Sequence, residues 1–280
     1  MRDLSKHPEL FSLNTATVRE RWDLQQIIDG CLRHGVKAIA PWREQVQAMG
    51  LDAAAKALRA SGLTLNGYCR GGLFTAPDAA GRAKAIDDNK RAVDEAAAIG
   101  AQCVVLVVGG VAASGAKGLT QAHRQIEDAI GAVLAYARTT GVKLAIEPLH
   151  PMYANDRACV NTLKHANDLC ETLGPGVGVA VDVYHTWWDL ALEREIARAG
   201  KAGTILGFHV CDWLAPTTDL LTDRGMMGDG VIDIPKIRGW VEAAGYAGFV
   251  EAEIFSSKNW WKRDPDEVIG ICLERFRTVC

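Results

Sequence analysis

Residues 103–108 read Cys-Val-Val-Leu-Val-Val, apolar at every position. A strand without polar alternation is covered on both faces, which is the condition of a parallel strand inside an α/β fold. On either side of it, short apolar or β-branched runs alternate with Ala-rich stretches of helical period, and the connections are short and marked by glycine. That alternation means repeated βαβ units.

Taken in order, the pattern predicts strands at 10–14, 37–42, 63–70, 103–108, 143–147, 177–183, 204–211 and 249–255. Helices are predicted at 24–34, 44–61, 80–99, 120–140, 162–173, 190–199, 235–244 and 265–278. Gly35, Gly62, Gly100 and Gly141 stand where helices should stop, and Pro235 suits a first helical turn. Gly71-Gly72 should open a loop, and a long mixed loop is expected at 212–233. With no linker or low-complexity segment in 280 residues, the expected fold is one closed (β/α)8 TIM barrel spanning 1–280 as a single domain.

Composition narrows the function classes. A net charge of −3 with scattered Lys and Arg argues against a nucleic-acid partner. The first residues carry charge where a signal peptide needs an apolar core, and no run approaches the ~20 apolar residues of a membrane span. A cytoplasmic location without a membrane partner is expected. The eight cysteines form no Cys-x-x-Cys pair and several lie in apolar runs, so they read as buried, reduced thiols.

In a barrel of this kind the chemistry lies at the C-terminal ends of the strands. The last four predicted strands end in Glu147, Asp182, His209 and Glu253. A carboxylate at the tip of an apolar strand is costly to desolvate, and three of them crowded together need a cation. Three carboxylates and one imidazole suit a divalent ion such as Mn²⁺, Mg²⁺ or Co²⁺. Strand parity places Ala145, Ala180 and Gly207 one layer beneath three of these ligands, which leaves room there. Glu251 shares parity with Glu253, but Glu253 stands ~6.6 Å nearer the mouth and is the expected ligand.

Other polar and aromatic residues gather at the same end. His150 and His185 each follow a ligand by three residues and suit substrate contact or proton transfer. Arg224, in the long loop, suits a clamp on an anionic or polyhydroxyl substrate, with Arg157 and Arg70 as weaker candidates. Trp42, Trp213, Trp187-Trp188 and Trp260-Trp261 fall just after strands, where rings pack well on sugar C–H faces. The small-residue loop 109–118 is a weak phosphate candidate, since it lacks the G-x-G-x-x-G and Walker patterns.

The second half carries Ile-Glu147-Pro-Leu-His, Val-Asp182-Val-Tyr-His185, Phe-His209-Val-Cys-Asp, Gly228-Asp-Gly-Val-Ile-Asp and Gly245-Tyr-Ala-Gly-Phe-Val-Glu-Ala-Glu253. With these motifs the chain resembles the xylose isomerase-like TIM-barrel superfamily, in the branch of sugar phosphate isomerases and epimerases that includes ketose 3-epimerases, hydroxypyruvate isomerase and inosose dehydratase. The resemblance implies one divalent ion on Glu147, Asp182, His209 and Glu253, with Mn²⁺ first and Mg²⁺, Co²⁺ or Zn²⁺ open. It also implies that Glu147 and Glu253 act as acid and base and that His185 contacts substrate. The epimerases carry an arginine shortly after the metal-binding histidine, where this chain reads Asp212-Trp213-Leu-Ala-Pro-Thr, so Arg224 is the candidate replacement.

The expected activity is proton transfer through the enediolate of a small sugar, with His185, Arg224, His150 and Trp213 as candidate substrate contacts and a homo-oligomer possible. A metal-dependent lyase or dehydratase on a keto-sugar, keto-glycoside or inositol derivative is the alternative, with His150 as its base. An endonuclease-IV-like repair enzyme shares the barrel but expects more metal ligands than seven histidines and an acidic balance favour, along with a basic groove. A non-catalytic sugar binder would not need the full ligand set.

Overall fold

The computed structural model describes residues 1–112 and 117–280. Its strands are β1 (Phe11–Asn14), β2 (Ala38–Ala40), β3 (Thr64–Leu65), β4 (Tyr68–Gly72), β5 (Cys103–Val107), β6 (Lys143–Ile146), β7 (Val177–Asp182), β8 (Ile205–Val210), β9 (Asp212–Trp213), β10 (Arg224–Gly225) and β11 (Val250–Ala252). The α-helices are α1 (Leu24–Arg33), α2 (Arg43–Met49), α3 (Leu51–Ser61), α4 (Ala79–Ile99), α5 (Gly118–Thr140), α6 (Leu163–Leu173), α7 (Val183–Thr186), α8 (Leu192–Ala202), α9 (Ile234–Ala243) and α10 (Pro265–Thr278).

Nine strands pair in the order β3-β2-β1-β11-β8-β7-β6-β5-β4, with parallel neighbours throughout. The two ends of that order meet. β2 pairs with β3, and Trp42, just past β2, bridges in parallel to Cys69 of β4. β3 and β4 are therefore two pieces of one strand interrupted at Asn66-Gly67, and the chain is the expected (β/α)8 barrel.

Local chemistry explains the boundaries. The N-termini of α1, α4, α6, α9 and α10 are capped by Asp23, Asp78, Thr162, Asp233 and Asp264, whose side chains accept from backbone N–H groups that the helix leaves unpaired. The predicted 44–61 helix is two, because Gly50 adopts φ +88° between α2 and α3. Gly71 and Gly72 end β4 instead of opening a loop. The buried side chain of Asn89 on α4 holds both the N–H and the carbonyl of Gly72. The sixth helix is shifted to α8, and Leu190, expected inside it, is fully exposed. The phosphate candidate loop overlaps residues 113–116, which lie outside the described residues.

The main core lies between the outer faces of the strands and the helices, where Leu144, Ile146, Val179, Val181 and their neighbours are buried. Inside the barrel, Cys103, Ala145 and Ala180 form a small separate cluster. The layer beneath the strand tips is thus built from small residues. A Cβ on Gly207 would stand 2.9 Å from Nε2 of His209, so glycine there leaves the imidazole its place.

The β7–β8 ladder has an irregularity between Val179 and Ala180, after which Asp182 pairs directly with His209. Gly178 permits that approach, since a Cβ there would stand 2.2 Å from the carbonyl oxygen of Thr204. Gly178→Ala should therefore lower unfolding free energy by about 1–3 kcal/mol, the usual cost of overpacking, read as a shifted urea midpoint at unchanged slope.

Candidate metal centre

Glu147, Asp182, His209 and Glu253 come together. Each offers one ligand atom, and these atoms all lie within 4.8 Å of one another in a buried group. Glu147 and Glu253 stand one residue past β6 and β11, yet their N–H groups still donate to Leu106 and Val210 across the ladder. Asp182 ends β7, and its Oδ1 accepts from the N–H of Tyr184 and so caps α7. Its Oδ2 is buried without a hydrogen-bond partner.

This arrangement fits a divalent ion. Two of the three carboxylates are held above the usual carboxylate range. Burial pushes Glu253 up to about 8 and Asp182 up to about 6, with Arg224 opposing the shift in both cases. His209 is shifted the other way for an imidazole. Burial disfavours its charged form, but Glu251, Glu147 and Glu253 outweigh that and raise it well above its ordinary value. Its Nδ1 lies 2.8 Å from Oε1 of Glu147, within hydrogen-bond distance. An orphaned Asp182 oxygen, raised Asp182 and Glu253 carboxylates and an imidazole paired to Glu147 make a donor set that suits a cation.

Glu251 occupies a second tier. It pairs with His209 in the ladder, but barrel strands are tilted, so ladder partners are not level along the axis. Its carboxylate accepts from Asn14 at 2.8 Å and from Asn66, and lies 3.8 Å from Nε2 of His209. Asn14 also donates to Oε1 of Glu253 at 2.9 Å and accepts from the indole N–H of Trp42 at 2.7 Å. Ser12 donates to Asn66. The sequence reading missed Asn14, Asn66 and Ser12. The one available signal was the polar parity of Ser12 and Asn14 in a buried strand.

Arg224 is inside the centre. Its Nη1 lies 3.0 Å from Glu253 Oε2 and 3.5 Å from Asp182 Oδ2, while the guanidinium carbon stands 4.3 Å from the centre of the Tyr184 ring and 4.7 Å from that of Phe255. It arrives there because the long loop is a built structure. Arg224 and Gly225 pair antiparallel with Trp213 and Asp212, and the buried Asp212 carboxylate accepts from the N–H groups of Trp213, Gly228 and Ile232. Tyr153 and Tyr184 both donate to the carbonyl of Leu220 and tie the loop to the barrel.

The remaining candidates divide. His185 is buried beside Asp182 and Arg224, and burial and the charge of Arg224 hold it well below the usual imidazole value. The N–H of His150 donates to its Nδ1, while its Nε2 lies 3.4 Å from Arg224 Nη2 and 3.7 Å from Asp182 Oδ2. His150 itself stacks on Trp213 at 4.8 Å, and neither ring lines the central cavity. Trp187 packs against Trp213, and Trp188 donates to the carbonyl of His185. Trp260 and Trp261 are buried, and Trp261 donates to Ala16. Trp42 does line the cavity.

That cavity, about 230 Å³, opens over the centre and is lined by Glu147, Glu253, His185 and Arg224, with Arg70 and Arg157 also in its wall. Its size suits a small molecule. The eight cysteines are all buried and reduced. Cys69, in the cavity wall, is pushed well up by burial and by the nearby glutamates, which keeps its thiol protonated. No helix among the described residues is long and apolar enough to cross a membrane.

Comparison with known proteins agrees with this architecture. Protein SMc04130 from Sinorhizobium meliloti 1021 is 62% identical, with a TM-score of 0.95 over 98% of this chain and 99% of that one. IolI, solved with a bound zinc atom, is 21% identical with a TM-score of 0.81 over 94% and 95%. D-allulose 3-epimerase from Methylomonas sp., solved in complex with D-allulose, is 16% identical with a TM-score of 0.78 over 96% of each chain. No curated protein matches the sequence. Residues 28–275 match the family described as xylose isomerase-like TIM barrel, and the chain belongs to that family.

Proposed function

We propose that this protein is a divalent-metal-dependent isomerase or epimerase of a small sugar or keto-sugar. The carrying observation is the placement of two glutamates, Glu147 and Glu253, in one buried ligand group and in the wall of one cavity. The likeness to a D-allulose 3-epimerase supports the substrate class. The oxygen-rich donor set favours Mn²⁺, and the zinc atom of IolI keeps Zn²⁺ as an alternative.

A divalent ion on Glu147, Asp182, His209 and Glu253 would supply Lewis-acid polarisation of a substrate carbonyl and its neighbouring hydroxyl. The protein supplies the proton chemistry. One glutamate removes the proton α to the carbonyl, and the sugar becomes an enediolate. If the other returns a proton on the opposite face of the same carbon, the product is an epimer. Return at the neighbouring carbon gives an isomer. Two carboxylates can exchange these roles only if each can exist in both protonation states near neutral pH, and burial lifts Glu253 towards that range.

His185, held neutral in the cavity wall, is placed to hydrogen-bond a substrate oxygen. Arg224 stands where it can donate to another and keeps charge balance beside Glu253. The ring of His150 buttresses Trp213 while its backbone fixes His185, so the alternative lyase lacks its expected base in the cavity.

The test is incubation of the Mn²⁺-loaded protein with D-fructose and related ketoses in D₂O. Wild type should place solvent deuterium α to the carbonyl of an isomer. Glu147→Gln and Glu253→Gln should each lower that rate by about 10²–10⁴-fold, the usual contribution of a positioned acid or base. Release of water without isomer formation would support the lyase, and no turnover across a broad ketose panel would defeat both readings.

Metal binding should also depend on pH. Burial holds Glu253 and Asp182 above the usual carboxylate range, so they hold protons that a cation must displace. The sign follows: apparent affinity for Mn²⁺ tightens as pH rises through about 6 to about 8. Calorimetry in buffers of different ionisation enthalpy should show proton release at neutral pH. An affinity that is flat over this range would count against the assigned ligands.

A further inference from the structure

Charge changes sign across the wall of the cavity. Glu147 and Glu253 have side chains only 6% exposed, whereas Arg19 and Arg157, which line the same space, are 30% and 34% exposed. The arginines therefore stand on the solvent side of the centre. Arg70 joins them, half-buried.

Arg19 is accounted for by its surroundings. Its guanidinium carbon lies 5.4, 5.0 and 5.0 Å from the ring centres of Trp42, Phe255 and Trp261. Arg70 is not accounted for in this way, and Arg157 has one distant ring, that of Tyr153, 5.9 Å from its guanidinium carbon. Among the described residues, no carboxylate lies within ion-pair distance of Arg70. Arg157 has only its chain neighbour Asp156, at 4.0 Å. Glu44, the one other carboxylate in the wall, is exposed and pairs with neither.

The fold places Arg70 deliberately in the wall. The β4–β5 ladder shifts register between Cys69 and Gly71, so Arg70 is the residue the ladder skips, and such a bulge re-aims a side chain. Asn89 then locks Gly72, two residues on, so the strand end is fixed. Burial works against the charge of Arg70; Glu44 relieves part of that and Arg157 adds to it, and the guanidinium is held below the usual value. Two guanidinium groups in one cavity wall, Arg70 without an ion pair and Arg157 with a single one at 4.0 Å, are a site for an anion, and arginine is the side chain that grips carboxylate and phosphate in bidentate fashion.

We propose that Arg70 and Arg157 form an anion subsite and that the substrate is an acidic keto-sugar, with a carboxylate or phosphate at the end remote from the reacting carbons. The inference rests on the isomerase/epimerase reading for the reacting end of the molecule, and on the arginines for the other end.

The experiment reads binding without turnover. The full-length Mn²⁺-loaded protein is titrated with neutral D-fructose, D-fructuronate and D-fructose 6-phosphate, followed by calorimetry. At least one acidic probe should bind about tenfold or more tightly than D-fructose, as expected for new charge-assisted hydrogen bonds. Added salt should shrink that preference. Whichever acidic probe binds more tightly identifies the group. R70Q/R157Q should abolish the preference, and R157Q alone, at a half-exposed position, should reduce it if the double variant fails to fold. R91Q, on an exposed helix face outside the cavity, controls for net charge and should keep the preference.

Equal affinity for neutral and acidic probes, no measurable binding of either acidic probe, or a preference that survives R157Q and R70Q/R157Q would overturn the proposal. Deuterium uptake is scored separately on the same three sugars. A preference without uptake keeps the subsite and sinks the isomerase reading, while uptake without preference does the reverse.

Discussion

Three carboxylates and an imidazole are held out of water at one end of this barrel, and much of the surrounding structure answers the cost of doing so. Removing a charge from water without a partner is among the most unfavourable steps in folding. Here the protein's own compensation is one buried guanidinium, Arg224, and one imidazole, His209, raised well above its ordinary value. Asp182 still keeps an oxygen without a partner. Such a centre is stable as part of a fold but incomplete as a charge distribution, and a divalent ion is the natural completion.

That requirement reaches far down the chain. Arg224 enters the centre only because a two-residue ribbon turns it inward, and the ribbon holds only because Asp212 gathers three backbone N–H groups of the same loop. Asp212 follows His209 by three residues. It builds the loop, and the loop carries Arg224 to Glu253 and Asp182.

Below the ligands, Asn14, Asn66 and Ser12 surround Glu251 and connect it to Glu253 and Trp42. Each polar atom of this tier answers another, which is how a barrel interior carries a fourth carboxylate under a metal-type site. The small layer beside it, Ala145, Ala180 and Gly207, gives His209 its space. Rigidity here fixes the positions of Glu147 and Glu253, and proton transfer between fixed groups depends on such positions.

Periodicity and glycine punctuation by themselves determined the barrel, since an apolar run such as 103–108 has few stable surroundings other than a covered parallel sheet. They also singled out Glu147, Asp182, His209 and Glu253, the four residues that come together in one buried group, because a polar residue at the tip of a buried strand stands out against the apolar run before it. Boundaries were less legible at Gly50 and at Asn66-Gly67, where a single backbone conformation divides an element and hydrophobic pattern is silent. What tertiary structure decided was partnership across strands. Nothing in the spacing of Arg224, Asn14 or Arg70 says what each faces, and only closure of the barrel brought Arg224 onto Glu253, Asn14 between two glutamates and Arg70 into the cavity wall. The physical reason is that burial pattern is local to an element, whereas charge pairing depends on which elements meet.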